Sequence, residues 1–292
     1  MAKLDMTYMK EVSKGLKAVF NNVLKEGSAD YKKVATEINA NTLSVDYSWI
    51  GDIPSMREWI GEREIKELEA NKYSLQTKKW KATIGIDRQV IEYDSLGIIK
   101  PRVMDLANSV FTHYDEIVFE LLNTDSLCYD GKNMFATDHP VGSSTQSNLF
   151  DLQLNQKNFL EVRKEMRGIC NDKGKSLNIV PNLLIVPLEL EGVALEIMKA
   201  TNLDSGKSNI TKDMCEIFVC SQLKDANTWF LADTKKAIKP FILQINKRVE
   251  FVALDNPNHE SVFLQDKFLY GVRSEDVAGN GLYQLIVKST KA

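Results

Sequence analysis

Trp80-Lys81-Ala82-Thr83-Ile84-Gly85-Ile86-Asp87, read together with Pro101 to Asn123, decides the fold. In the first stretch Trp80, Ala82, Ile84 and Ile86 alternate with Lys81, Thr83, Gly85 and Asp87, the period-two signature of a half-buried strand. In the second, Val103, Leu106, Ala107, Val110, Phe111, Tyr114, Ile117, Val118, Leu121 and Leu122 recur at three- and four-residue spacing. That period predicts a helix over 101–123 with Pro101 in its first turn. About 22 residues give a rod of roughly 33 Å, long enough to be the spine of a core. Upstream, Ile65 to Thr77 is compatible with extended chain, so a hairpin is expected over 62–93. Arg63, Lys66, Glu67, Glu69, Lys72, Lys78, Lys79, Lys81 and Arg88 crowd it. Two such strands are marginal alone in water, so the ribbon has to lie on the body of the domain or on another subunit.

Working outward, Tyr8 to Leu24 reads as an amphipathic helix ended near Gly27. Residues 28–57 break into short polar and apolar pieces and read as an arm crossing a surface. Tyr31, Tyr47, Trp49 and Trp59 along it are aromatic anchors for docking, on this chain or on a neighbour. Beyond the spine, 124–150 is a structured loop anchored by Tyr129, Met134 and Phe135. A helix over 155–169, a buried strand over 179–187 and a helix over 189–201 make an α/β lobe. Strands are expected at 215–220 and 228–232 to complete that lobe. Later extended stretches at 238–253 and within 263–287 are expected to return beside the spine helix.

The chain has 292 residues, 43% of them hydrophobic, which is enough for one elaborate domain or two lobes. A formal net charge of −3 gives no global field for gripping nucleic acid independently of sequence. Lys78, Lys79 and Lys81 around Trp80 offer a local stacking site, but the interspersed acids favour a salt-bridged protein interface. Cys128, Cys170, Cys215 and Cys220 form no CxxC pair, and no apolar leader precedes them, so reduced thiols in a cytosolic setting are expected. No apolar run approaches the ~18 residues of a membrane span.

The best enzyme-like cluster is Cys128, Asp138 and His139, with His113 on the spine. A zinc site needs three or four ligands at motif spacing and a thiol nucleophile needs a placed histidine; neither spacing occurs. His139 precedes Pro140 in a turn and reads as structural. No GxxxxGK[ST], GxGxxG, GxSxG or HExxH occurs. No catalytic residue, cofactor or metal is expected. The rival from another class is a thiol- or metal-dependent hydrolase built on Cys128, Asp138 and His139.

From Trp49-Ile50-Gly51-Asp52-Ile53-Pro54-Ser55-Met56-Arg57-Glu58-Trp59-Ile60-Gly61-Glu62-Arg63 onward, the sequence resembles the major head (major capsid) protein family of Mu-like phages and prophages. The likeness continues through Ala82 to Arg88, Cys128-Tyr129-Asp130-Gly131, Thr137-Asp138-His139-Pro140, Lys239-Pro240, Glu250-Phe251-Val252, Leu269-Tyr270-Gly271-Val272 and Gly281 to Leu285. It is weakest between 152 and 228. The resemblance implies an α+β chain with the Hong Kong ninety-seven type of capsid fold. Its parts would be an N-terminal helix and arm (1–61), an extended hairpin or E-loop (62–93), a peripheral domain with spine helix and antiparallel sheet (94–151 and 234–292), and an α/β axial domain (152–233).

It further implies a virion capsid protein, assembled in the bacterial host cytoplasm from homo-hexamers and homo-pentamers into an icosahedral shell. That shell would enclose double-stranded DNA without sequence-specific binding. Portal, scaffold or protease, and decoration proteins are the implied partners, with no membrane. Trp49, Arg57, Trp59, Arg63, Lys78, Lys79, Trp80, Lys81 and Arg88 are the expected inter-subunit residues. A closely related alternative is an encapsulin-like compartment shell, which differs in cargo rather than fold.

Overall fold

Burial alternates along Lys78–Asp87 as the sequence requires: Trp80, Ala82, Ile84 and Ile86 turn inward, and Lys79, Lys81, Thr83, Gly85 and Asp87 turn to solvent. In the computed structural model, which describes residues 6–47, 73–93, 96–171, 173–202, 206 and 208–291, this strand is one edge of the larger of two main sheets. The elements run α1 (Met6–Glu26), β1 (Ala35–Asn39), β2 (Ser44–Asp46), β3 (Ser74–Gln76), β4 (Lys78–Asp87), α2 (Arg88–Glu92) and α3 (Leu96–Asn123). Next come β5 (His139–Val141), β6 (Ser144–Gln146), β7 (Leu149–Phe150), α4 (Gln156–Gly168), β8 (Leu183–Val186) and α5 (Glu191–Lys199). The chain closes with β9 (Glu216–Val219), β10 (Thr228–Ala232), β11 (Phe241–Leu254), α6 (Glu260–Gln265), β12 (Lys267–Asn280) and β13 (Ile286–Thr290).

The first sheet has the order β1-β11-β12-β4, with β1 parallel to β11 and the other pairs antiparallel. The second has the order β7-β13-β10-β8-β9. Helix α3 ties the two together. Ile99, Val103, Leu106, Val110 and Tyr114 share a core with α1 and with Phe241, Leu243, Phe268 and Tyr270 of the first sheet. Further along, Phe119 and Leu122 belong to the same cluster as Leu183, Ile185, Phe218 and Phe230 of the second. The opposite face of the second sheet, Leu184, Val186, Trp229, Leu231 and Val287, packs on α4 and α5. Alternate residues of β8 and β10 therefore serve two different cores, which is why these strands read as continuous apolar runs.

Three features differ from the sequence expectation. The spine begins at Leu96, five residues before Pro101, so the proline lies inside the helix. Buried Ile99 extends the apolar stripe past it and outweighs the one backbone hydrogen bond that a proline cannot donate. The hairpin expected over 62–93 is, in its described part, two strands in different sheets. β3 pairs with β2, whereas β4 pairs along its whole length with β12. Its inner face has enough apolar surface to dock on α3, which a free ribbon would leave in water. Finally, β13 does not join the sheet beside the spine helix with β11 and β12; it sits between β7 and β10 of the second sheet.

The described part of the arm docks on its own chain. Tyr31 is buried, with its backbone N–H donating to Asp115 Oδ1 at 2.7 Å, and the hydroxyl of buried Tyr47 donates to Gln244 Oε1 at 2.8 Å. Burial of Tyr47 pushes its phenol up to about 12. No helix among the described residues is long and apolar enough to cross a membrane.

Candidate assembly surface

An edge strand offers one side to its sheet and leaves the other side unpaired. β4 is such a strand, and Lys78, Lys79 and Lys81 stand exposed along it. Opposite them in register are Asp276, Glu275 and Arg273 of β12. The last two are already engaged elsewhere. Lys247 reaches Glu275 at 3.0 Å, and Arg273 forks onto Glu250 at 2.8 and 3.0 Å. The three ammonium groups thus have no ion-pair partner among the described residues. Lysines on an edge discourage indiscriminate strand-to-strand pairing.

Trp80 points the other way. Its indole N–H donates to the Asp276 carbonyl at 3.2 Å, and its ring lies 4.5 Å from that of His113. His113 Nε2 in turn meets Asp276 Oδ1 at 3.0 Å, while the fully buried Oδ2 has no hydrogen-bond partner. This tryptophan therefore fastens the lysine-bearing end of β4 to the spine. Arg88 opens α2, where its Nε pairs with Glu92 at 2.9 Å and its backbone N–H holds the Asp266 carbonyl. Trp49, Arg57, Trp59 and Arg63, and the rest of the hairpin from 62 to 72, lie outside the described residues.

The Cys128 to His139 loop is built differently. Asn148 Oδ1 accepts the Ala136 backbone N–H at 2.9 Å, which fixes the amide orientation, so His139 Nε2 must donate to it at 3.1 Å. His139 Nδ1 lies 2.6 Å from Asp130 Oδ2, within hydrogen-bond distance. Asn148 donates from its other end to the Met134, Tyr283 and Ile286 carbonyls. Asp138 is exposed and bonds Lys132, which holds its carboxyl below the usual range. Cys128 is buried, its thiol is directed at the Gly281 carbonyl at 3.6 Å, and burial pushes its pKa up to about 12. The three residues of the hydrolase reading are thus each engaged by partners of their own. Among the described residues, no group of three or more His, Cys, Asp or Glu side chains is placed to hold a metal ion.

Apolar side chains left in water complete the surface. Phe263 and Leu264 of α6 are 88% and 66% exposed, at the end of the β11–β12 hairpin. Leu188 ahead of α5 and Leu195 on it stand out, as do Tyr93 just after α2 and Ile98 in the first turn of α3. The sequence reading missed these positions because hydrophobic residues in short helical segments are indistinguishable from core residues until the packing is known.

The sequence pattern of the Mu-like prophage major head subunit gpT family matches residues 9–152, 150–223 and 221–292. The chain belongs to this family. The Mu-like prophage FluMu major head subunit of Haemophilus influenzae is 28% identical over 287 residues, spanning 98% of this chain and 74% of that protein. The major capsid protein of Escherichia phage Mu is 28% identical over 270 residues, spanning 92% and 68%. Among solved structures, a chain of the procapsid of bacteriophage JBD30 is 27% identical and superposes with a TM-score of 0.67, covering 99% of this chain and 77% of that one. The fold is accordingly the tailed-phage capsid fold. As a gpT family member the chain is a major head subunit, and the family match spans the segment where the sequence resemblance was weakest.

Proposed function

We propose that this major head subunit assembles with copies of itself into hexamers and pentamers that close an icosahedral shell around double-stranded DNA. The observation that carries the proposal is the near-complete superposition on a procapsid subunit. Three further features support it. Among the described residues β4 is an edge strand, its lysines have no ion-pair partner, and separate apolar side chains stay exposed. Many modest contacts, each weak enough to reverse, allow misplaced subunits to leave before closure. Lys78, Lys79, Lys81 and Arg88 of the β4 region, together with Trp49, Arg57, Trp59 and Arg63, form the inter-subunit set, with Trp80 holding β4 in place. The net charge of −3 suits a wall that must not adhere to DNA during filling.

In this reading the chain's work is association rather than catalysis. Assembly takes place in the bacterial host cytoplasm with a portal, a scaffold or protease and, on the finished shell, decoration proteins. The test compares the intact chain with Lys78→Glu/Lys79→Glu/Lys81→Glu by sedimentation velocity and negative-stain imaging, with and without a co-expressed scaffold. Closed particles from the intact chain and capsomers or monomers from the variant are expected. An intact chain that stays monomeric in every condition would overturn the shell reading. Normal particles from the variant would remove β4 from the contact set.

A further inference from the structure

Where β1 ends, the arm leaves the first sheet. The Ala40 N–H still reaches the Ile245 carbonyl at 2.9 Å, and β2 then pairs with β3 in a separate two-stranded sheet. Two strands alone are marginal in water, so the order of this ribbon depends on where it docks. Its docking points lie on β11 and β12. Tyr47 and Leu75 form a small apolar cluster of their own with Ile242 of β11. Leu75 fills the space left by Gly279 of β12, where a Cβ would come within 2.4 Å of its Cδ2. The Tyr73 hydroxyl accepts the Asn280 backbone N–H at 2.7 Å.

A polar network crosses the same seam. β11 is bulged here: Ile245 lies opposite Asp276 and Lys247 opposite Glu275, which leaves Asn246 outside the ladder. A bulge re-aims a side chain. The Asn246 amide donates to the Thr42 carbonyl on the arm, and its Oδ1 accepts from the Thr77 hydroxyl at the junction of β3 and β4. Buried Gln244 donates to the Thr77 hydroxyl at 2.9 Å and to Asn246 Oδ1 at 3.0 Å, and it accepts from the Tyr47 hydroxyl at 2.8 Å. Thr77 closes the circuit, its backbone N–H donating to the Leu43 carbonyl at 2.9 Å. The arm and the root of the hairpin are thus bound to each other and to the same two amide side chains.

We infer that residues 40–47 and 73–77 form one cooperative unit, latched by Gln244 and Asn246, which orders and releases the arm and the root of the hairpin together. Segments that share their few docking points open as a whole, at a free energy below that of the core. A contact that either extension makes on a neighbouring copy then biases the other as well, because it shifts the population of the whole unit. That consequence rests on the shell reading, whereas the unit itself does not.

Hydrogen exchange of the full-length chain tests it with two unrelated perturbations. Asn246→Ala removes the polar latch, and Gly279→Ala displaces Leu75 without touching the network. Thermal melting checks that each variant is folded. In the parent, the amides of 40–47 and 74–77 are expected to share one protection factor, lower than that of α3; unequal protection of the two segments overturns the inference before any variant is made. Each variant is expected to accelerate both segments by the same factor, about tenfold or more, while 228–232 in the second sheet keeps its rate. Acceleration of one segment alone, of neither, or of the whole chain overturns the inference. Exchange is read without assembly, so a parent that stays monomeric overturns the shell reading and leaves this result standing.

Discussion

The imidazole of His139 lies flat on the phenol ring of Tyr283, with ring centroids 3.7 Å apart and planes inclined by 4°. The two residues are 144 positions apart in the chain, and their contact stitches the 124–150 loop to the segment between β12 and β13. The ring nitrogens are both engaged at its edge, by Asp130 and Asn148, so its face is free to stack on the phenol.

His139→Ala should cost on the order of 3–5 kcal/mol, because it leaves Asp130 Oδ2 unpaired in a nearly buried site and opens one face of Tyr283. Denaturant unfolding of the parent and the variant measures this directly. A change below about 1 kcal/mol would show that the loop is anchored by its apolar contacts alone.

Gly271 on β12 faces Thr83 of β4, and a Cβ there would come within 2.8 Å of the Ala82 carbonyl oxygen. Gly271→Ala should therefore push β4 off its neighbour at a cost of about 1–3 kcal/mol. Hydrogen exchange should show faster amides from Lys78 to Asp87 while α3 stays protected. Uniform acceleration across the chain would instead mean that the sheet yields as a whole.

Val110 lies in the shared core of α3, and Val110→Asp would bury a carboxylate without a partner. That penalty is several kcal/mol, comparable to the whole stability of a domain. The expected outcome is loss of soluble, cooperatively melting protein, read from the soluble fraction and circular dichroism. Near-native melting would contradict the placement of this helix face.

Three of the four thiols are buried, and Cys170 is the accessible one. In the native chain near pH 8, a thiol reagent should modify Cys170 rapidly and reach Cys128, Cys215 and Cys220 only on unfolding. Burial raises Cys128 from 9.0 to about 12 and Cys215 to about 11. Each stays protonated in the fold after the unfolded thiol ionises. The stabilisation is thus complete below about pH 9 and is lost as pH climbs toward the folded values. Denaturation midpoints measured upward from about pH 8 should fall, and Cys128→Ala should flatten that slope.

What the sequence made legible follows the range of the forces involved. Alternation along 80–87 and helical spacing along 103–122 are local patterns, and both elements formed where those patterns lie. Pairing is not local. Nothing near Lys78 states that its strand lies along residue 276, and nothing near Ile286 states that it inserts beside β10. The contacts of Trp80 were out of reach for the same reason, since its partners Asp276 and His113 come from distant elements. At the other extreme, His139 was recognisable as structural because no local spacing supplied the further groups that catalysis requires.

The position of β13 has a consequence for synthesis. As the chain leaves the ribosome, β7, β8, β9 and β10 all appear before the long β11–β12 hairpin, and only then does the strand arrive that fills the gap between β7 and β10. The lobe therefore has to wait, with an unfilled slot, until its last strand has been made. A subunit interrupted before residue 286 cannot complete that sheet, so only chains made through Thr290 can form the whole lobe.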